Sequence, residues 1–263
     1  MHCLICNSPM SYFFSKHFDM KELGKVDYFR CDHCGFCASQ THFDMSDEQW
    51  SAVNNAFHSV THYAEDNPYN RNQRYFNQAQ MLHLLKRFDC VTGDQWLDWG
   101  SGVGAVSSLL QNIYGLRLDT YDKYFTPSIN EISPGRLLPR TFDLVLNTAV
   151  FEHVRDRATL DEIEEYVKAD GCLAVHTLVP ETVPKNPEWM YLLPVHTAFH
   201  TNRSMQILMD DWSYTCSVYN EYSKLWVMFK DDTGGIERAA NRINALLGWQ
   251  YLKYKAGFVD YWK

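Results

Sequence analysis

Two pairs of cysteines in this chain have the spacing of a metal site. They read Cys3-Leu4-Ile5-Cys6 and Cys31-Asp32-His33-Cys34-Gly35. Two residues between cysteines let the backbone curl into a knuckle, and two knuckles supply the four thiolates that a tetrahedral Zn²⁺ prefers. Gly35 suits the left-handed conformation that closes such a turn, and Asn7 stands in the same place after the first pair. Cys3, Cys6, Cys31 and Cys34 are therefore the expected ligands of a structural zinc, because four cysteines leave no open position for catalysis. Cys37, His33 and His2 are near enough to substitute, and a redox dithiol is the alternative. The remaining cysteines, Cys90, Cys172 and Cys216, sit in apolar surroundings and read as small buried hydrophobes.

A second chemical feature is the stretch Gln95-Trp96-Leu97-Asp98-Trp99-Gly100-Ser101-Gly102-Val103-Gly104. A short apolar strand runs into glycines at alternate positions, then into a helix whose stripe is Val106, Leu109, Leu110 and Ile113. Glycines let a backbone approach a ligand closely, and a helix start offers free N–H groups. The spacing is not the G-x-G-x-x-G of dinucleotide folds, which argues against a dehydrogenase. Acidic residues flank the turn. Asp98 precedes it, and Asp122 ends the next apolar stretch, Leu116 to Tyr121.

The elements around these residues follow from periodicity. The residues between the cysteine pairs include Tyr12, Phe13, Phe14, Phe18, Val26, Tyr28 and Phe29, which suits one or two β-hairpins around an aromatic core. Met81, Leu84, Leu85 and Phe88 recur at helical spacing after the break at Asn67-Pro68. Tyr69 to Tyr75 is dense in hydrogen-bonding groups. It is either a solvated helix start or a lid whose Arg71 or Arg74 meets a ligand carboxylate. Prolines 180, 184, 187 and 194 punctuate a later loop holding Trp189 to Leu193.

The cysteine region resembles a zinc ribbon. Leu97 to Gly104 resembles motif I of class I S-adenosylmethionine-dependent methyltransferases, and further signals fall in the family's order. Leu116 to Asp122 resembles its second strand with the acid that binds the ribose hydroxyls. Phe142 to Asn147 resembles the fourth strand, and Phe151-Glu152-His153-Val154 the Glu-His-Val signature after it. A helix with Leu160, Ile163 and Val167 then leads to Asp170-Gly171 and a fifth strand, Cys172 to Thr177. The resemblance covers roughly residues 70 to 230. It implies an α/β fold with a Rossmann-like, doubly wound, seven-stranded sheet carrying one antiparallel strand. The strands Tyr214 to Tyr219 and Lys224 to Phe229 close it, and a helix near Ile236 to Leu247 follows. It implies S-adenosyl-L-methionine as cofactor, bound by Asp98, Gly100, Ser101, Gly102, Gly104, Asp122 and Asn147, with Arg71 and Arg74 as lid candidates. Three prolines between Asp122 and Asp143 imply that the third strand is shortened or irregular.

His196-Thr197-Ala198-Phe199-His200-Thr201 resembles a stretch of methyltransferases that act on sugars and natural products. His196 is the first candidate for a general base, then His153 and His200, with Glu152 assisting. No carboxylate cluster of the catechol-methyltransferase type is apparent, so the zinc is expected to be structural and the transfer metal-free. The parts are then a ribbon over 1–45, a helical linker or lid over 46–90 and a methyltransferase domain over 91–263.

Composition bounds the partners. With 46% hydrophobic residues the chain can build one sizeable core. The N-terminus shows neither the basic nor the apolar region of a secretory signal, and no apolar run approaches the roughly 18 residues of a membrane span. A soluble, cytoplasmic protein is expected. The net charge of −8 and an unbasic ribbon argue against nucleic acid. The expected acceptor is a small polar molecule, methylated on an oxygen of a sugar, nucleotide-linked sugar or natural product. The alternatives are a ribosomal RNA base methyltransferase and a non-enzymatic module that binds the cofactor and a protein partner.

Overall fold

The computed structural model describes residues 1–61, 68–124, 129–231 and 234–260, without the side chains of residues 59–61 and 68–72. Strands β1 (Met10–His17) and β2 (Lys25–Cys31) form an antiparallel hairpin with a bulge between Tyr12 and Phe14. The bulge separates the aromatic run. Phe13, Phe14, Phe18, Val26 and Tyr28 are buried, whereas Tyr12 is exposed and packs edge-on against Phe29. Strand β3 (Cys37–Ser39) continues the sheet. Helices α1 (Gln40–Phe43), α2 (Asp47–Thr61) and α3 (Pro68–Arg87) follow. Asn67 lies outside the described residues; Pro68 takes the first position of α3, where its missing N–H costs nothing.

The large sheet begins with β4 (Trp96–Trp99), which turns into α4 (Ala105–Leu109), prolonged by a π-helical turn over Leu110–Tyr114. Then come β5 (Asp119–Tyr121), β6 (Phe142–Thr148), α5 (Arg157–Glu165) and β7 (Val167–His176). The last elements are β8 (Ala198–Phe199), α6 (Asn202–Asp211), β9 (Cys216–Asn220), β10 (Leu225–Phe229), α7 (Gly235–Leu247) and β11 (Lys253–Ala256). The strand order is β11-β9-β10-β7-β6-β4-β5. Strands β4 to β7 are parallel, β10 is antiparallel to β7 and β9, and β11 is antiparallel to β9.

The sheet has seven strands, as the sequence implies, with a different composition. The third strand is reduced to one bridge, Thr120 to Glu131, and β11 adds a strand at the opposite edge. Two strands therefore run against the parallel set rather than one. Strand β7 also starts earlier than its sequence implies. Val167 already pairs with Phe142, and Asp170-Gly171 form a bulge inside the strand rather than a turn before it.

Both faces of the sheet are covered. Leu144, Leu146, Cys172, Ala174 and Val227 pack with α3, α4 and α7. Leu97, Val145, Leu173, Val175 and Met228 pack with α5, α6 and, unforeseen in the sequence, the cysteine-bearing segment, whose Cys3, Ile5, Cys31 and Phe36 join that core. Strand β3 pairs with β8, so residues 37–39 and 198–199 share one four-stranded sheet. The Thr201 hydroxyl caps α6 by accepting from the Ser204 N–H and donates to the Cys34 carbonyl at 2.6 Å. Arg157 reaches the Ile5 carbonyl and Arg155 the Met45 carbonyl. Replacing Thr201 by valine removes a cap and a buried hydrogen bond together. The loss of stability should be about 2 kcal/mol in urea unfolding.

Candidate active site

The glycine turn is built on backbone bonds. After β4, the N–H groups of Gly100 and Ser101 both donate to the Tyr121 carbonyl at the end of β5. Gly100 has φ +76°, and a Cβ there would stand 2.6 Å from Val150 Cγ2, so no other residue fits without movement. Gly102 and Gly104 are also left-handed. The Gly102 N–H donates to Asp122 Oδ2 and the Tyr124 N–H to Asp122 Oδ1, each at 2.8 Å. Asp122 is thereby fixed beside the turn. Asn147, at the end of β6, donates to the Trp99 carbonyl at 2.8 Å. The structure thus gathers Asp98, Gly100, Ser101, Gly102, Gly104, Asp122 and Asn147 around the ends of β4, β5 and β6.

Several polar atoms at this turn are buried without a partner. They are Asp98 Oδ1, Trp99 Nε1, Ser101 Oγ and Asn147 Oδ1, with Arg74 Nε on α3. Buried polar groups normally find partners, so such a concentration marks a place for a polar ligand. Burial first, then the charge of Asp122, pushes the Asp98 carboxyl up to about 8. A ligand carrying an ammonium and a sulfonium fits an acid of that kind, and the positive-φ turn leaves backbone free to approach it. S-adenosylmethionine is such a ligand. Arg74 also acts on His176, whose own value falls to about 4 through burial and then the arginine's charge. The side chain of Arg71 is outside those described.

A second group forms just past β6. Ala149 takes φ +57°, an uncommon conformation for alanine, and its N–H donates to the His176 carbonyl. The reversal leads into a 3₁₀ turn, Phe151–His153, that presents Glu152 and His153. His196 comes from the distant loop before β8, and its ring lies 5.0 Å from that of His153. One ligating atom from each of Glu152, His153 and His196 falls within 4.8 Å of the others. Tyr191 holds this group. Its hydroxyl donates to Glu152 Oε1 at 2.6 Å, and its carbonyl accepts from His196 Nδ1 at 2.7 Å. Nothing in the sequence singles out Tyr191 beyond an aromatic in a proline-rich loop. Burial lowers His196, and takes His153 down to about 4. Burial alone would raise Glu152, but His196, His153 and the Tyr191 hydroxyl hold it below its ordinary value. His200 lies apart, packed between Phe36 and Phe151.

The four cysteines Cys3, Cys6, Cys31 and Cys34 converge at the other end of the ribbon segment. Their Sγ atoms stand 3.5 Å apart for Cys3–Cys34 and Cys6–Cys31, and 3.6 Å for Cys6–Cys34. Zinc–sulfur bonds of about 2.3 Å in a tetrahedron put sulfurs about 3.8 Å apart, so the donor set fits Zn²⁺ with a slight expansion. Asn7 (φ +56°) and Gly35 (φ +76°) both take the left-handed conformation expected of them. Cys37 is buried in the aromatic core and His33 is exposed; neither belongs to the cluster.

Residues 69–216 match the methyltransferase-domain family. The chain belongs to that family and is a class I S-adenosylmethionine-dependent methyltransferase. Among solved structures it is similar to an S-adenosylmethionine-dependent methyltransferase of Thermotoga maritima, at 15% identity over 66% of this chain and 99% of that one, with a TM-score of 0.38. It is also similar to the plantazolicin methyltransferase BpumL bound to S-adenosylhomocysteine, at 12% identity over 70% and 96%, TM-score 0.47. A third is the magnesium protoporphyrin IX methyltransferase of Synechocystis, at 13% over 61% and 86%, TM-score 0.40. No curated protein matches the chain. No helix among the described residues is long and apolar enough to cross a membrane.

Two outcomes follow from the turn. Gly100→Ala should abolish the calorimetric heat with S-adenosylhomocysteine, because the added carbon meets Val150. Asp98 gives a pH signature in the ligand-free protein. Its folded value of about 8 lies above its ordinary 3.8, so between these limits the folded state holds a proton that the unfolded state lacks. Its contribution to stability is full below pH 4 and is lost as pH rises through 8. Asp98→Asn should therefore come closest to the wild type in urea near pH 3 and exceed it at pH 8.5.

Proposed function

We propose that this enzyme transfers the methyl group of S-adenosylmethionine to an oxygen of a small polyhydroxylated acceptor, such as a sugar, a nucleotide-linked sugar or a natural product. The observation that carries the reading is the convergence of Glu152, His153 and His196 on the carboxyl side of the parallel strands, just after Val150, which lies against Gly100. When bound, the cofactor supplies an electrophilic methyl on a sulfonium, open to in-line attack.

The chain's own residues then have distinct tasks. Gly100, Ser101, Gly102 and Gly104 offer a close backbone surface, Asp122 accepts from the two ribose hydroxyls, and Asp98 and Asn147 face the amino-acid end. The lid arginine that meets its carboxylate is Arg74 on α3, Arg71 being the other candidate by sequence. His196 Nε2 is the free nitrogen, because Nδ1 is bonded to the Tyr191 carbonyl. It faces the acceptor hydroxyl and takes its proton, while Glu152 and His153 orient and polarise the group. The cysteine cluster holds a structural zinc. Residues 1–45 act as a zinc ribbon, 46–90 as a helical linker and lid, and 91–263 as the catalytic domain. Placement on a sugar or natural product rests on the His196–Thr201 stretch and on the acidic balance of the chain, which disfavours RNA.

His196→Asn should lower kcat about 100-fold or more while leaving affinity for S-adenosylhomocysteine within a few-fold. Radiolabelled methyl transfer across hydroxylated small molecules checks both the activity and the acceptor. Methylation of structured RNA, with tight binding at physiological salt, would replace this reading by the RNA one. Cofactor binding without transfer to any acceptor would favour the non-enzymatic module.

A further inference from the structure

The same three residues raise a question that a proton-transfer role leaves open. Among the described residues, no hydrogen bond links Glu152 to His153 or His196, although the three groups point to one spot within 4.8 Å. A hydrogen-bonded relay would close those gaps. Two of the three, His196 and Glu152, are instead braced from behind by Tyr191. The Tyr191 carbonyl accepts from His196 Nδ1, which fixes the tautomer and turns the Nε2 lone pair inward. The Tyr191 hydroxyl holds Glu152 Oε1, leaving Oε2 buried and without a partner. Outer partners of this sort orient metal-binding imidazoles and carboxylates. The nearby His42 does not compete, since its Nδ1 meets the Ser39 hydroxyl at 2.7 Å and its Nε2 the Pro194 carbonyl at 2.9 Å.

The geometry points to a second metal site, in which Glu152, His153 and His196 hold a divalent cation whose open positions take two adjacent oxygens of the acceptor. Two imidazoles and one carboxylate suit six-coordinate Mn²⁺ or Fe²⁺ and leave two or three positions free; Zn²⁺ also binds such a set, with one or two. That number matches a chelating acceptor, a vicinal diol or an α-hydroxy carbonyl compound. The single carboxylate leaves the site net positive, so it favours an ionised hydroxyl. In the balanced step the hydroxyl proton leaves to solvent, the oxygen forms the new C–O bond, the C–S bond breaks and the sulfonium becomes a neutral thioether. This assignment departs from the metal-free transfer expected of the sequence. It deepens the function proposed above, and it turns His196 from base into ligand.

The test uses the full chain with its four-cysteine site loaded with zinc. Metal-depleted solution is titrated with Mn²⁺, followed by electron paramagnetic resonance, and in parallel with Zn²⁺, followed by elemental analysis after gel filtration. One equivalent of either ion beyond the cysteine-bound zinc is expected. Glu152→Gln and His196→Gln should each remove that equivalent and keep the first. Tyr191→Phe should weaken it about tenfold, as loss of an outer partner does. Circular dichroism and binding of S-adenosylhomocysteine report that the variants fold. The site is overturned if neither ion binds beyond the first equivalent, or if Glu152→Gln and His196→Gln bind it as the wild type does. Titration of S-adenosylhomocysteine into the protein holding zinc at the cysteines alone reports separately on the cofactor reading. Heat there, with no second metal, leaves methyl transfer standing and removes only the metal.

Discussion

The pairing of two very short strands, Cys37–Ser39 and Ala198–Phe199, is the constraint on which the acceptor side depends. It joins the loop after β7 to the cysteine-bearing sheet, and everything in that loop is positioned as a result. Val183, Leu192 and Phe199 pack into the same aromatic cluster as Phe13, Phe14 and Tyr28. Val195 is covered by Trp50 and Val53 of α2. The loop is thus clamped between two elements that precede the cofactor strand in the chain. Its proline-rich composition reads as a loop, and Tyr191 and His196 hold defined places in it because both ends of the loop are built into packed layers.

The cofactor side uses a different principle. There the backbone is bent into left-handed turns at Gly100, Gly102 and Gly104, and polar atoms stand buried without partners. Each arrangement is unfavourable in isolation. They persist because β4, β5 and β6 form a parallel sheet packed on both faces, which fixes the ends of every turn. The stable part of the sheet therefore holds a destabilised rim, and the rim is where ligand atoms are needed.

Much of this was legible in the sequence. The paired cysteines, the left-handed Asn7 and Gly35, the glycine turn and the two flanking acids all carry local signatures, because each depends on backbone conformation within a few residues. Glu152, His153 and His196 were also visible by type and place. The β3–β8 pairing was not, since a two-residue strand is too short to show a period. Tyr191 was hidden for a related reason: its grip on Glu152 and His196 is a tertiary contact with no spacing rule. The early start of β7 was masked by Asp170-Gly171, which look like a turn and form a bulge. The pairing of buried Glu164 with Lys230 and half-exposed Arg140 was likewise invisible, as it joins three separate segments.

The exchange of a third strand for β11 has a consequence for how this protein can change over time. One margin of the large sheet ends in a connection bonded through Thr120, Asn130 and Ile132, and the other in a short strand bearing Lys253 and Lys255. Charged, brief strands resist pairing with other molecules, whereas connections tolerate insertion and drift. Divergence among descendants of this chain should accumulate at the first margin, with the second kept for solubility.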